Sequence, residues 1–211
     1  MTNLSYTKEF FLLSVNSKGN IPALKSTEIY ASVFAGCMME LINTGMITKT
    51  DSGKFEIASD FDENYKHLYP LYEKIAATNK PVSMERLFER KSLDKIITKF
   101  REMLISMDYK DELTNQGIFK NKTKYVTKTE VVIDIVKKIR RQFFGEETLK
   151  SETICLVALL DVSGLLRDYF GKLDAKELKK RLKELPKSPS YALAKEVIGY
   201  VTVMLSIGVP V

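Results

Sequence analysis

Apolar residues recur at three- and four-residue intervals along most of this chain, and strict alternation is confined to one short stretch. The spacing predicts a mainly α fold. A brief apolar run at residues 10–15 is followed by Asn-Ser-Lys-Gly-Asn (16–20), a turn-like cluster. A helix then starts near Ser26 or Thr27 and carries Tyr30, Val33, Phe34, Cys37, Met38 and Leu41 on one face. Gly45 closes it, as a glycine just past a helix end does. Residues 46–57 alternate instead, with Ile47 and Lys49 set against Phe55 and Ile57 across an Asp-Ser-Gly turn, which predicts a hairpin.

Helical periodicity returns at 64–77, through Leu68, Leu71, Tyr72 and Ile75, and Pro81 separates this segment from a short helix at 82–89. The stripe Ile96, Ile97, Phe100, Met103, Leu104 and Met107 predicts a longer helix over 93–109, with Lys95, Lys99 and Arg101 off the apolar face. A loop or strand passage spans 110–128. Further helices are expected at 130–144, 148–170, 173–185 and 191–207, and the nearly continuous apolar centre of 148–170 marks it as the helix around which the others pack. The helix, strand, strand order of the first sixty residues is that of a winged-helix-like unit.

A chain of 211 residues with 45% hydrophobic content can bury a large core. The expected organisation is one domain over 1–211. Cys37 and Cys155 both lie in apolar helical patterns without metal-ligand spacing, which implies reduced core thiols in the cytoplasm. The first ten residues lack the basic and hydrophobic regions of a secretory signal. The uncharged tail, 197–211, falls short of the ~20 residues that cross a bilayer as a helix and reads as a core helix.

Enzyme chemistry finds little support. His67 is the one histidine, so no histidine-rich metal centre can form, and no HExxH motif or cysteine pair is present. The glycines build no phosphate-cradling loop. Ser163-Gly164 lies inside an apolar helical pattern rather than after a strand, unlike a nucleophile elbow. Glu40 and Asp161 sit in apolar surroundings, with no second catalytic group at a useful sequence distance. No catalytic residue, metal ligand or cofactor is assigned.

Charge changes this picture. Residues 117–141 hold eight basic and two acidic side chains, a net +6 that equals the formal charge of the whole chain. The segment opens with GIFKNKTKYVTK (117–128), where Lys120, Lys122 and Lys124 stand beside Ile118, Phe119, Tyr125 and Val126. Each lysine near an anionic leaflet contributes on the order of 1 kcal/mol, and the apolar neighbours add interfacial burial. A solvated lysine-rich loop is the alternative. Two other partners stay open, a protein, for which the basic face only steers or solubilises, and nucleic acid. The helix at 26–43 is poor for base reading, since it holds Glu28 and Glu40 and no arginine.

Several segments together resemble the Golgi phosphoprotein 3 family, or GPP34 domain: YTKEFFLLSVNSKGN near the start, FAGCMMELINTGMI at 34–47, FREML at 100–104, KTKYV at 122–126 and ETICLVALLDVSGLLRDYF at 152–170. The resemblance covers residues 6 to about 207. It implies a compact multi-helix domain with small β-hairpins that binds phosphatidylinositol 4-phosphate on a membrane face. In that family a tryptophan before the first long helix, an arginine within it and two arginines three apart on a later helix form the lipid pocket, and a hydrophobic hairpin enters the bilayer. Residue by residue, the later pair maps to Thr98 and Arg101 with Lys99 nearby, the earlier arginine to about Phe34, and the tryptophan to about Lys25 in a chain without tryptophan. The hairpin maps to 117–127. Lysines replace arginine only as point charges, not as planar bidentate donors, so the departures weaken headgroup specificity more than surface attachment. Short loops and lysine richness suggest a bacterial homologue. The expected function is a peripheral protein on the cytoplasmic membrane face that binds phosphatidylinositol 4-phosphate or another anionic phospholipid.

Overall fold

The computed structural model describes residues 4–106, 110–115, 122–185 and 189–207. The chain opens with helix α1 (Tyr6–Ser14), in which every residue except Lys8 is buried. The sequence marks only the apolar run at 10–15. The helix extends to Tyr6 because Glu40 accepts the Thr7 amide and Lys138 pairs with the Glu9 carboxylate inside the protein. A 3-10 turn, Ala23–Lys25, leads into α2 (Ser26–Asn43). That helix ends where expected. Gly45 takes φ +74°, and the amides of Gly45 and Met46 bond back to the carbonyls of Ile42 and Leu41, at 3.0 and 3.1 Å.

Strands β1 (Ile47–Lys49) and β2 (Phe55–Ile57) form the expected antiparallel hairpin, with Ile47 opposite Ile57 and Lys49 opposite Phe55. Residues 64–77 are not one helix. Glu63–Leu68 is a 3-10 stretch, and α3 (Tyr69–Ala76) starts afresh with Pro70 in its first turn. Proline has no amide hydrogen and is tolerated only where a helix leaves its first donors free. The short helix expected at 82–89 shrinks to α4 (Met84–Leu87). Helix α5 (Arg90–Ser106) begins three residues earlier than the stripe suggests, and residues 107–109 lie outside the described residues. The passage after it is a second antiparallel hairpin, β3 (Lys110–Asn115) with β4 (Lys122–Thr127), paired from Lys110 opposite Thr127 to Asn115 opposite Lys122.

Helices α6 (Thr129–Phe144), α7 (Ser151–Val162), α8 (Leu166–Glu184) and α9 (Pro189–Ile207) complete the chain. Every residue from Thr153 to Leu160 is buried, so α7 is covered on all sides, by α1, α2, α6, α8 and α9. This is the central helix the sequence points to, but it is shorter than 148–170. Gly164 takes φ +71°, and the amides of Gly164 and Leu165 reach back to the carbonyls of Asp161 and Leu160, ending α7 at Val162. Ser163-Gly164 is therefore a helix terminator rather than part of a helix interior. The expected helix at 173–185 continues α8 beyond a break at Gly171. The buried apolar residues form one cluster from Tyr6 to Met204.

Candidate functional site

The residues singled out for headgroup binding occupy three different settings. Thr98 and Arg101 are exposed and lie three apart on α5, a spacing that puts both on one face. Glu102 and Ile105 share that outer surface, while Leu93, Ile96, Ile97 and Phe100 fill the core side. Lys99 is half-buried and its ammonium lies 3.1 Å from the carboxylate of Glu102, so it is already partly neutralised. Arg101 has no ion-pair partner among the described residues. Its guanidinium is the exposed cation of this face that no carboxylate among the described residues neutralises.

Lys25 is committed elsewhere. Its ammonium donates to the carbonyl of Gly164 at 2.8 Å and to Asp168 at 2.7 Å. Gly164 lies in the turn between α7 and α8, where a lysine satisfies an open carbonyl at a helix end, and Asp168 lies in the first turn of α8. What this loop offers to solvent is Leu24, 98% exposed, rather than charge. Phe34 has 0% exposure, with its ring edge-on to Phe88 at 5.2 Å between centroids. A side chain in that position packs the core and touches no headgroup at the surface. Among the described residues, the structure joins Lys25 to the Arg101 face by no hydrogen bond or ion pair.

The hairpin stands between α5 and α6, and β3 packs on α5. Lys122, Lys124, Tyr125 and Val126 all belong to β4. Ile118, Phe119 and Lys120 fall outside the described residues. The base of the hairpin is tied down, because the hydroxyl of Thr127 donates to the carbonyl of Leu12 on α1 at 2.7 Å. The basic residues after it are mostly engaged: Lys138 with Glu9, Arg140 with Asp174 at 2.7 Å, and Arg141 with Glu147 at 2.7 Å. Three of the four basic residues of α6 are thus paired with carboxylates.

A second polar centre escapes sequence reading. The imidazole Nε2 of His67 lies 2.9 Å from the Glu40 carboxylate, although 27 residues separate them. The other carboxylate oxygen accepts the amide hydrogen of Thr7 at 3.2 Å. Burial raises the Glu40 carboxyl, but the hydrogen bonds and charge interaction with His67, with help from Thr7, outweigh it and hold the group below the usual range. Burial lowers His67, and its hydrogen bond to Glu40 recovers only part of that. Glu40 is thus ionised, and His67 is neutral with its proton on Nε2, because a carboxylate can only accept.

A histidine, a carboxylate and a nearby threonine hydroxyl are the parts of a nucleophilic triad. Here His67 has 0% exposure and Thr7 is equally enclosed. No substrate reaches them, and the arrangement is structural. The thiols are also unreactive in character, since burial pushes Cys155 up to about 12 and Cys37 well above its ordinary value. No group of histidine, cysteine and carboxylate side chains among the described residues could hold a metal ion. Helix α2 is buried from Ala31 to Leu41, so it cannot lie in a DNA groove as a recognition helix.

Fold and face together define a mainly α-helical domain that carries a separate basic hairpin between two of its helices. The chain matches the family model of Golgi phosphoprotein 3 (GPP34) over residues 7–201, and it belongs to that family. The family is not known as one of enzymes. Comparison with curated proteins gives no match.

Proposed function

We propose that this chain is a peripheral membrane protein that binds an anionic phospholipid headgroup through Arg101 and the basic β3–β4 hairpin. The observation that carries the reading is that the hairpin packs on the same helix that presents Arg101. Helix α5, with Arg101 exposed on its outer side, is packed against β3, and β4 pairs with β3 so that Lys124 stands opposite Leu113 and Lys122 opposite Asn115. An arginine supplies directional, paired hydrogen bonds to a phosphate, and lysines add charge without fixed geometry. Family membership supports the same reading, since Golgi phosphoprotein 3 proteins commonly bind phosphatidylinositol 4-phosphate.

Within the described residues no helix is long and apolar enough to cross a membrane. Attachment then rests on surface contacts, with several lysines at about 1 kcal/mol each on an anionic leaflet. Cosedimentation with neutral, phosphatidylserine-containing and phosphatidylinositol 4-phosphate-containing vesicles tests the reading. Binding to both anionic compositions is expected, and a strong preference for the phosphoinositide would identify the headgroup. Equal recovery with neutral and anionic vesicles would exclude headgroup recognition.

A further inference from the structure

We propose that Glu40 and His67 form an acid-sensitive pin. Protonation of His67 loosens the start of α1 and, through α1, the base of the β3–β4 hairpin. The last step, a change in membrane attachment, rests on the function proposed above. The first steps do not depend on that function.

Glu40 does for α1 what a capping side chain does for other helices. The cap residue Ser5 makes no side-chain hydrogen bond to the helix. The Glu40 carboxylate, reaching across from α2, instead accepts the Thr7 amide in the first turn. A carboxylate there satisfies an open donor and meets the positive end of the helix dipole. His67, from the 3-10 stretch, holds that carboxylate in place. At its other end α1 is tied to the functional face. The Thr127 hydroxyl at the end of β4 bonds to Leu12, and the Tyr169 hydroxyl bonds to Leu13. One short helix thus connects the buried pin to the base of the hairpin.

The pin has no provision for a second proton. The Nδ1 of His67 is buried and has no hydrogen-bond partner among the described residues. Protonation turns it into a buried donor that no protein acceptor among the described residues meets. Phe100 of α5 presents its ring to the imidazole at 5.1 Å, and Tyr65 lies 6.3 Å away on the same stretch. The ionisable groups around the pair are Glu40, whose charge favours the imidazolium, and Lys8 on α1, whose charge opposes it. Tyr6 of α1 and Cys37 of α2 also sense Glu40, but burial raises both and keeps them neutral. Burial dominates, so His67 titrates below its ordinary value of about 6.5. A group lowered in this way supports the closed arrangement above the unperturbed value, and that support is lost as the pH falls. The pin is therefore closed at neutral pH and opens in acid.

Because the chain has one histidine, imidazole NMR of the full-length protein reads His67 without assignment ambiguity. The imidazole is expected to titrate below about 6.5. Amide exchange at Thr7, Leu12 and Thr127, corrected for intrinsic pH dependence, should accelerate with the same midpoint, by up to about tenfold per pH unit. His67→Gln keeps an N–H donor for Glu40 but cannot titrate, and it should flatten that response. Should the variant not fold, the wild-type titration decides alone. A midpoint at or above about 6.5, or Thr7 and Thr127 amides that do not follow the imidazole, would overturn the pin. Vesicle cosedimentation at about pH 7.5 and about pH 5.5 tests the last step. Amides that follow the imidazole while anionic-vesicle binding stays constant would overturn the link to attachment. Absence of vesicle binding at both pH values would refute the membrane function and the last step with it, while the amides still decide the pin.

Discussion

Replacing Gly36 by alanine sets two opposed effects against each other, and the packing of α1 on α2 decides the sign. In an isolated helix the change would stabilise by about 1 kcal/mol, because glycine is a poor helix former. Here a methyl group at position 36 would stand 2.5 Å from the Thr7 Oγ1 and 2.8 Å from its Cγ2. Rotating Thr7 does not relieve the contact, since both branches of the side chain are too close. The helices must separate, at an overpacking cost of about 1–3 kcal/mol. Separation also lengthens the Thr7 amide bond to Glu40, now 3.2 Å, and a hydrogen bond to a charged group is worth about 1.5–3 kcal/mol. The net expectation for Gly36→Ala is a loss of about 1–3 kcal/mol, or about 2–4 °C in Tm per kcal/mol for a chain of this size. Urea and thermal unfolding of Gly36→Ala, Thr7→Ala and the double variant measure it. Thr7→Ala removes both clashing atoms, so the double variant should be more stable than the sum of the two single changes predicts, by about 1 kcal/mol or more. Stabilisation by Gly36→Ala alone, or strict additivity in the cycle, would refute the close-packing account.

Three further outcomes follow from the buried groups. His67→Ala leaves the Glu40 carboxylate buried without its principal partner and should cost about 3–5 kcal/mol in denaturant unfolding, whereas a loss under about 1 kcal/mol would show that water replaces the imidazole. In the wild-type protein both His67 and Glu40 are lowered on folding. Stability should therefore be complete at neutral pH and decline as the pH falls below about 6.5, then further below about 4.5. Cys37 and Cys155, fully buried and with raised thiols, should resist an aromatic disulfide reagent in the native state and react on unfolding.

Helix positions were legible where one face is apolar, as at Ile96, Ile97 and Phe100 or Val131, Ile135 and Ile139. The first hairpin was legible from its alternation and its Asp-Ser-Gly turn. The failures share a cause. Residues 148–170 and 64–77 keep an apolar character across a break, and periodicity does not see the backbone event at Gly164 or Pro70. In sequence α1 reads as a short run because Thr7 and Glu9 look exposed, whereas in the fold the Thr7 amide meets Glu40 and the Glu9 carboxylate meets Lys138, both far along the chain. The candidate site divides in the same way. Arg101 and Thr98 emerge on the surface because their spacing is local. Phe34 and Lys25 do not act there, since one is core and the other holds the α7–α8 turn. The pairing of Glu40 with His67 bridges two helical segments, and no sequence spacing encodes it. A lone histidine in an apolar helical context and a glutamate among core residues were its only traces.

The most direct test of the membrane function is flotation of the wild-type protein and of a Lys120→Glu, Lys122→Glu, Lys124→Glu variant with phosphatidylserine-containing vesicles at low and high salt. Wild type should float with the vesicles at low salt and lose much of that binding at high salt, as screening of surface charge requires. The variant, with the sign of these three charges reversed, should stay in solution at both. Flotation of the variant equal to that of the wild type, or no flotation of the wild type at low salt, would contradict a hairpin-mediated attachment to anionic membranes.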